Sequence, residues 1–280
     1  MRAGPLPLLA ALGLLGGCEA KLTVDLTDGP VDSADEVVLD VTRVALQTAD
    51  GDVVTLALDD DAPIDLLLFQ KGETYRLVDN HDLDTGRYTG IALDFGPDSF
   101  VTRDDGVEVE VNTPTTRDFA PIDLDIEDLD EERLVLDLNL RFSLVDTGSG
   151  SYDLEPVWRA VRPGETGEIS GAVPTAFVES TGCQTGRPAA EGVAVYLFEG
   201  DGATPNDYAG QASLIDAASV EFETSAGEYR YSLHFVPAGD YTVALTCQAD
   251  ADDPAADDTV TFDADADVTV TEGGTVTQDF

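Results

Sequence analysis

The sequence predicts an all-β protein made of two tandem β-sandwich domains behind a short leader. Two observations carry that prediction. Apolar and polar residues alternate at period two over much of the chain, as at Leu22, Val24 and Leu26 or from Leu134 to Leu144, which is the signature of half-buried strands. The alternating runs are short and separated by Gly, Pro and Asp turns, and none shows sustained helical periodicity.

The leader occupies residues 1–17. Arg2 provides a positive start, Pro5 to Leu15 is an apolar run, and Gly16-Gly17 supplies small residues before Cys18. This is the layout of a secretory signal peptide. The run is about a dozen residues, short of the roughly 20 that a spanning helix needs. Leu15-Gly16-Gly17-Cys18 resembles the lipobox of bacterial lipoproteins, which implies lipidation of Cys18 as the first residue of the mature chain. An ordinary secretory signal with Cys18 left as a thiol is the alternative. The resemblance implies a multiply acylated cysteine and so a stable anchor, since one chain alone binds membranes marginally. Glu19 stands where the inner-membrane retention signal would have Asp, which favours the outer membrane.

The 280 residues are enough for two domains of ordinary size, and 42% of them are hydrophobic, enough to build cores. A net charge of −43 therefore belongs to a folded, Asp-rich surface rather than to a disordered chain. Such a surface repels nucleic acid and anionic lipid headgroups, and it resembles that of proteins from saline habitats. With Cys18 committed to lipid, Cys183 and Cys247 form an even pair in an oxidising compartment. A disulfide between them closes a loop of about 65 residues, for which chain entropy gives roughly 4 kcal/mol. Two buried thiols are the alternative. Zinc is a poorer fit, because Cys and His are too few for four ligands.

In chain order, Leu22–Leu26 reads as a strand ended by an Asp28-Gly29-Pro30 turn. Glu36–Gln47 reads as a second strand whose phase slips near Thr42-Arg43, the mark of a β-bulge. Strands are expected at Val53–Leu58, Ile64–Phe69, Tyr75–Val78 and Gly86–Phe95, with a loop at Asp79–Thr85. Leu134, Leu136, Leu138, Leu140, Phe142 and Leu144 form the strongest strand. Their partners Asp137, Asn139, Arg141 and Ser143 imply one wet face, hence an antiparallel sheet. After a Gly/Ser turn at Thr147–Ser151, Tyr152–Val161 carries the single tryptophan, Trp158. Leu26–Asp32, Glu36-Val37-Val38, Ile64–Leu68, Gly86–Ile91 and Leu154-Glu155-Pro156-Val157 together resemble a bacterial lipoprotein domain of unknown function, DUF4382, over residues 18–161. That resemblance implies a β-sandwich on an envelope lipoprotein and supplies no site residues.

Residues 162–167 (Arg-Pro-Gly-Glu-Thr-Gly) read as a linker, and a second all-β unit spans 168–280. Strands are expected at Ile169–Val173, Val193–Leu197, Val220–Phe222, Tyr229–Phe235 and Tyr241–Cys247, with a turn at Pro237–Asp240. Gly171-Ala172-Val173, Gly192–Val195 and Pro237–Val243 resemble prealbumin-like, carboxypeptidase-regulatory-like modules. The fold expected of both units is thus an immunoglobulin-like or prealbumin-like sandwich. The resemblance implies a structural spacer, and some relatives of this fold bind carbohydrate.

Catalysis finds little purchase. His81 and His234 are read as exposed bystanders, and no Gly-x-Ser-x-Gly elbow occurs. Gly200-Asp201-Gly202 starts like a dinucleotide fingerprint, but Pro205 stands at the third glycine, so it is a turn. Carboxylates are too abundant for any pair to single out a glycosidase dyad. Calcium needs six to eight closely spaced oxygens. Asn80-x-Asp82-x-Asp84 approaches that rhythm, although Thr85 replaces the glycine. Asp250-x-Asp252, crowded by Asp253, Asp257 and Asp258, is a second candidate. Asp263, Asp265 and Asp267 form a line on one strand face, and Asp123–Glu132 is a further acidic cluster. The sequence thus leads to a non-catalytic, lipid-anchored envelope protein acting through interaction or scaffolding, with no catalytic residue, metal site or cofactor assigned. Its partners are the membrane, through the lipid, and an unidentified protein or glycan. The alternatives are a binder of carbohydrate or another small ligand, with Tyr196 and Phe198 as an open aromatic face, and a calcium-binding surface protein.

Overall fold

Strands dominate the computed structural model, which describes residues 20–29, 31, 34–60, 62–180, 182–183, 190–209 and 213–280. The leader, with Cys18, lies outside these. The first domain comprises β1 (Ala20–Gly29), β2 (Ala34–Leu39), β3 (Val41–Thr48), β4 (Val53–Ala57), β5 (Ile64–Asp65), β6 (Tyr75–Leu83), β7 (Gly86–Phe95), β8 (Phe100–Arg103), β9 (Glu108–Asn112), β10 (Ala120–Ile126), β11 (Glu131–Asn139), a single helical turn α1 (Leu140–Ser143), β12 (Leu144–Asp146), β13 (Tyr152–Leu154) and β14 (Trp158–Val161). Two four-stranded sheets, ordered β14-β11-β1-β6 and β10-β7-β3-β4, and a six-stranded sheet, β12-β13-β9-β8-β2-β5, share one core. The four-stranded sheets meet at both margins: β10 lies beside β14, and Asp59 N donates to Leu77 O from the end of β4 to β6.

The second domain contains β15 (Thr166–Val173), the turn α2 (Thr175–Val178), β16 (Ala194–Glu199), β17 (Leu214–Ser219), β18 (Glu221–Glu223), β19 (Glu228–Pro237), β20 (Gly239–Thr246), β21 (Phe262–Val270) and β22 (Thr275–Thr277). It is a sandwich of β18-β19-β15-β22 on β17-β16-β20-β21. Ile169, Val195, Tyr231, Leu233, Val243 and Leu245 fill the space between the sheets. Edge strand β21 carries Asp263, Asp265 and Asp267 on its exposed face, a placement that discourages pairing with another chain. A one-turn 3-10 helix, Pro163–Glu165, is all that separates β14 from β15.

Several elements differ from the sequence expectation. Glu36–Gln47 is two strands in two different sheets, parted at Asp40. The expected bulge is present, as a register shift between Val41 and Arg43 against β7. Only Ile64-Asp65 of the 64–69 run is strand; the Asp65 carboxylate accepts from Leu67 N at 3.2 Å and caps a 3-10 turn over Leu66–Leu68. The loop expected at 79–85 is mostly strand, because β6 continues to Leu83 through a bulge. Asn80 takes a left-handed φ of 48° there, which asparagine tolerates better than most residues. The turn expected at Asp28-Gly29-Pro30 does not end β1 before Gly29, and Pro30 lies outside the described residues. Val220 lies between β17 and β18, and these strands belong to different sheets.

The largest correction concerns Leu134–Leu144. Its strand stops at Asn139, where the Asn139 Oδ1 accepts from Phe142 N at 3.3 Å and the Asp28 carboxylate accepts from Leu140 N at 3.0 Å. Two first-turn N–H groups are thereby satisfied and α1 begins. β11 pairs in parallel with β1 and antiparallel with β14, so the sheet is mixed. Its polar face is not wet. Asp137, Asn139, Arg141 and Ser143 are all buried, and the second domain meets this face through Asn139 and Arg141.

Candidate functional site at the domain junction

The junction is built from polar residues that the two domains bury in each other. Arg159, on β14, reaches across from the first domain. Its Nη2 lies 2.6 Å from Asp137 and 2.8 Å from Asp216 of β17, and it also donates to His234 O at 3.1 Å, while Nη1 donates to Phe235 O at 2.9 Å. Asn139 Nδ2 donates to Asp216 at 3.0 Å, so one side chain caps α1 with its oxygen and clasps the second domain with its nitrogen. Arg141 Nη2 donates to Ser219 Oγ at 2.7 Å, and Lys71 pairs with Glu221 at the rim at 2.6 Å.

Charge balance in this layer is unusual. Asp28, Asp137 and Asp216 are all buried in this layer, and Arg159 pairs with the latter two. Burial pushes Asp216 up to about 7 against the opposing pull of Arg159, with Asp137 adding to the rise. Asp28 is also pushed well above the ordinary carboxylate range by burial, opposed by its bonds from Leu140 N and Gln70. A second carboxylate close by and out of water disfavours the charged form of Asp216.

An open cavity of about 420 Å³ adjoins the network, bordered by Asp28, Asp137, Asp216, Lys71, Arg230 and His234. Gly72 closes one side. Its φ of +85° is accessible to glycine at little cost, and a Cβ there would come within 3.0 Å of His234 Nδ1. His234 is therefore not an exposed bystander: it is largely enclosed at the junction, with Glu168 3.9 Å away, and burial pushes its pKa down. His81 lies on β6 opposite Leu22.

Below this polar layer the domains share an aromatic cluster. Phe142, turned out of the first domain by α1, stacks on Tyr208 at 4.5 Å between centroids and meets Tyr196 edge-on at 5.5 Å. Phe262 packs on Tyr196 and Phe198. Tyr196 and Phe198 are 0% exposed, so the open aromatic face considered for sugar stacking is closed. The strand β16 is apolar on both faces because both are covered, one by the sandwich core and one by this cluster.

The acidic candidates for calcium lie elsewhere and serve the fold. Asp82 pairs with Lys21 on the bulged strand β6. Asp252 accepts from Tyr196 Oη at 2.8 Å and from Tyr208 N at 3.2 Å, while Asp258 accepts from Asp253 N at 2.9 Å. Among the described residues, no group of three or more His, Cys, Asp or Glu side chains is arranged to hold a metal ion. Cys183 and Cys247 are both buried in the core of the second domain.

Sequence reasoning missed Arg159 and Asp216 altogether and read Asp28 only as a turn residue. A signal was present for the first two. Arg159 interrupts Val157–Val161 and Asp216 interrupts Leu214–Ala218, and a lone charge inside an apolar strand is a candidate buried pair.

Residues 19–156 match the family described as a domain of unknown function (DUF4382). A comparison with curated proteins finds no match. Among solved structures, the chain is similar to a candidate adhesin from Bacteroides ovatus (14% identity, 96% of this chain and 94% of that one, TM-score 0.22). It is also similar to a leucine-rich repeat protein from Bacteroides thetaiotaomicron (12%, 93% and 26%, 0.23) and to the minor pilin of Streptococcus agalactiae (15%, 93% and 94%, 0.20). At such TM-scores these likenesses carry no argument about function.

Proposed function

From a first domain that belongs to the DUF4382 family, fused to a second sandwich through a buried junction, we propose a non-catalytic, lipid-anchored envelope protein that presents both domains as one interaction unit. The observation that carries this reading is the junction itself. Buried charge pairs and an aromatic cluster join the sandwiches across the boundary, whereas a flexible tether would leave each surface polar and wet. Where one rigid unit is held out from a membrane, partners meet a fixed surface, which is what scaffolding asks of a fold.

The leader supports attachment through lipid on Cys18. Among the described residues no helix is long and apolar enough to cross a membrane. Cys18→Ser is expected to move the protein from the membrane fraction to the soluble fraction with its melting temperature unchanged. Retention of the variant in membranes would refute the anchor.

An oxidising envelope also favours a Cys183–Cys247 disulfide within the second core. Peptide mapping without reductant is expected to recover the two cysteines in one linked pair. Reduction of that link is expected to cost about 2–5 kcal/mol. Recovery of two alkylated thiols from freshly isolated protein would count against the pairing.

A further inference from the structure

The first domain carries a second concavity, far in kind from the acidic junction. It is a wide groove of about 910 Å³ between the end of β7, the bulge of β3 and the 113–119 loop, within the size range of small-ligand clefts, about 300–1,000 Å³. Three features set its chemistry.

The first is local neutrality. In a chain of net charge −43, the charged side chains that line this groove among the described residues are Asp94 and Arg117, which neutralise each other, with Asp40 behind Gly96. Arg117 donates Nε and Nη2 to the two Asp94 oxygens at 2.6 and 2.7 Å, a planar bidentate pair left partly open to solvent. Such a pair keeps free N–H groups on one side and free lone pairs on the other, which suits a ligand with neighbouring hydroxyls.

The second is a set of hydroxyls. Thr42 and Thr113 donate to Asp94 O and Gly96 O. Thr115 and Thr116, both exposed on the groove wall, make no hydrogen bond to the described residues. Each offers one donor and two acceptor positions to a ligand.

The third is aromatic surface. Phe95 and Phe119 are half-buried and line the groove. Phe95 is backed by Trp158, nearly parallel at 19° and 6.4 Å. Phe119 rests on Gly90, where a Cβ would come within 2.9 Å of its own Cβ, so the absence of a side chain on β7 is what seats it. Rings fixed from behind present apolar surface at little entropic cost.

We propose that this groove binds a neutral saccharide, its C–H face against Phe95 and Phe119 and its hydroxyls on Thr115, Thr116 and the Asp94–Arg117 pair. A uronate is disfavoured, because Asp98 and Asp118 flank the lining segments and add to the overall negative field. The proposal rests on the interaction-unit reading and names the class of partner. The two fail separately, since Cys18→Ser reports on the anchor and a sugar titration reports on the groove alone.

The test titrates the full chain with methyl glycosides of glucose, galactose, mannose and N-acetylglucosamine, their β-linked oligosaccharides, and glucuronate, followed by amide chemical shifts. The expected result is saturable shifts at residues 93–97 and 113–119 with at least one neutral sugar, and weaker binding of glucuronate. In the double variant Thr115→Val/Thr116→Val, affinity should fall about fivefold or more, the loss of one or two neutral hydrogen bonds, with the melting temperature unchanged. Phe119→Leu, which keeps an apolar side chain over Gly90, should weaken binding as well. The proposal is overturned by no saturable shift with any of these sugars, by shifts confined to other residues, by glucuronate binding as tightly as the neutral sugars, or by unchanged affinity in the Thr115/Thr116 double variant.

Discussion

Replacing Arg159 with methionine is expected to lower the unfolding free energy by about 3–5 kcal/mol at pH 8, read by urea denaturation. Methionine keeps most of the buried stem but removes the cation, so Asp137 and Asp216 face each other across the junction with no counter-charge. His234 O and Phe235 O lose their donor at the same time. The penalty is expected to shrink at pH 5. Asp216 has a folded pKa of about 7, raised above its ordinary 3.8. Such a group contributes stability that is full below the ordinary value and is lost as pH rises through about 7. Below that value the native junction holds a proton, and a protonated acid no longer needs the guanidinium. The other carboxylates largely cancel when wild type and variant are compared at one pH. Equal deficits at pH 5 and pH 8 would mean that charge burial is not what Arg159 offsets.

Phe142→Ala is expected to cost about 3–5 kcal/mol, the usual price of emptying a buried aromatic site. The side chain is 2% exposed, and it stacks on Tyr208 and meets Tyr196 across the domain boundary. Because the cavity would open between domains rather than within one, the variant should also be cut faster by a glutamyl endopeptidase at Glu165, in the Pro163–Glu165 turn. A loss below about 1 kcal/mol, with unchanged proteolysis, would show that the sandwiches are tethered rather than packed, and would remove the basis for treating them as one unit.

The same residues show why sequence reasoning succeeded where it did. Period-two alternation reports a strand with two unlike faces, and it located β1, β15, β19 and β20. It does not report what lies over the polar face. Asp137, Asn139 and Arg141 read as solvent-facing because polar residues usually are, yet here they are buried at the junction, where Asn139 and Arg141 find partners in the second domain and Asp137 pairs with Arg159. The break at Asn139 was equally hidden. The alternation continues through Phe142 and Leu144, and what ends the strand is a cap supplied jointly by Asn139 and by Asp28, more than a hundred residues earlier. The calcium-like rhythm at Asn80-x-Asp82-x-Asp84 failed for a related reason. Spacing along a chain becomes a cage only if the chain curls, and here it runs as a bulged strand.

Sequence alone was sufficient for the all-β class and the kinship of the first domain, because these follow from local periodicity and short motifs. The leader's lipobox-like ending is likewise a purely local pattern. Tertiary structure decided which polar residues are buried, which strand pairs in parallel, where Phe142 points and which surface is left neutral. Those outcomes depend on contacts between residues far apart in the chain, where burial changes the energy of a charge by more than any local propensity can.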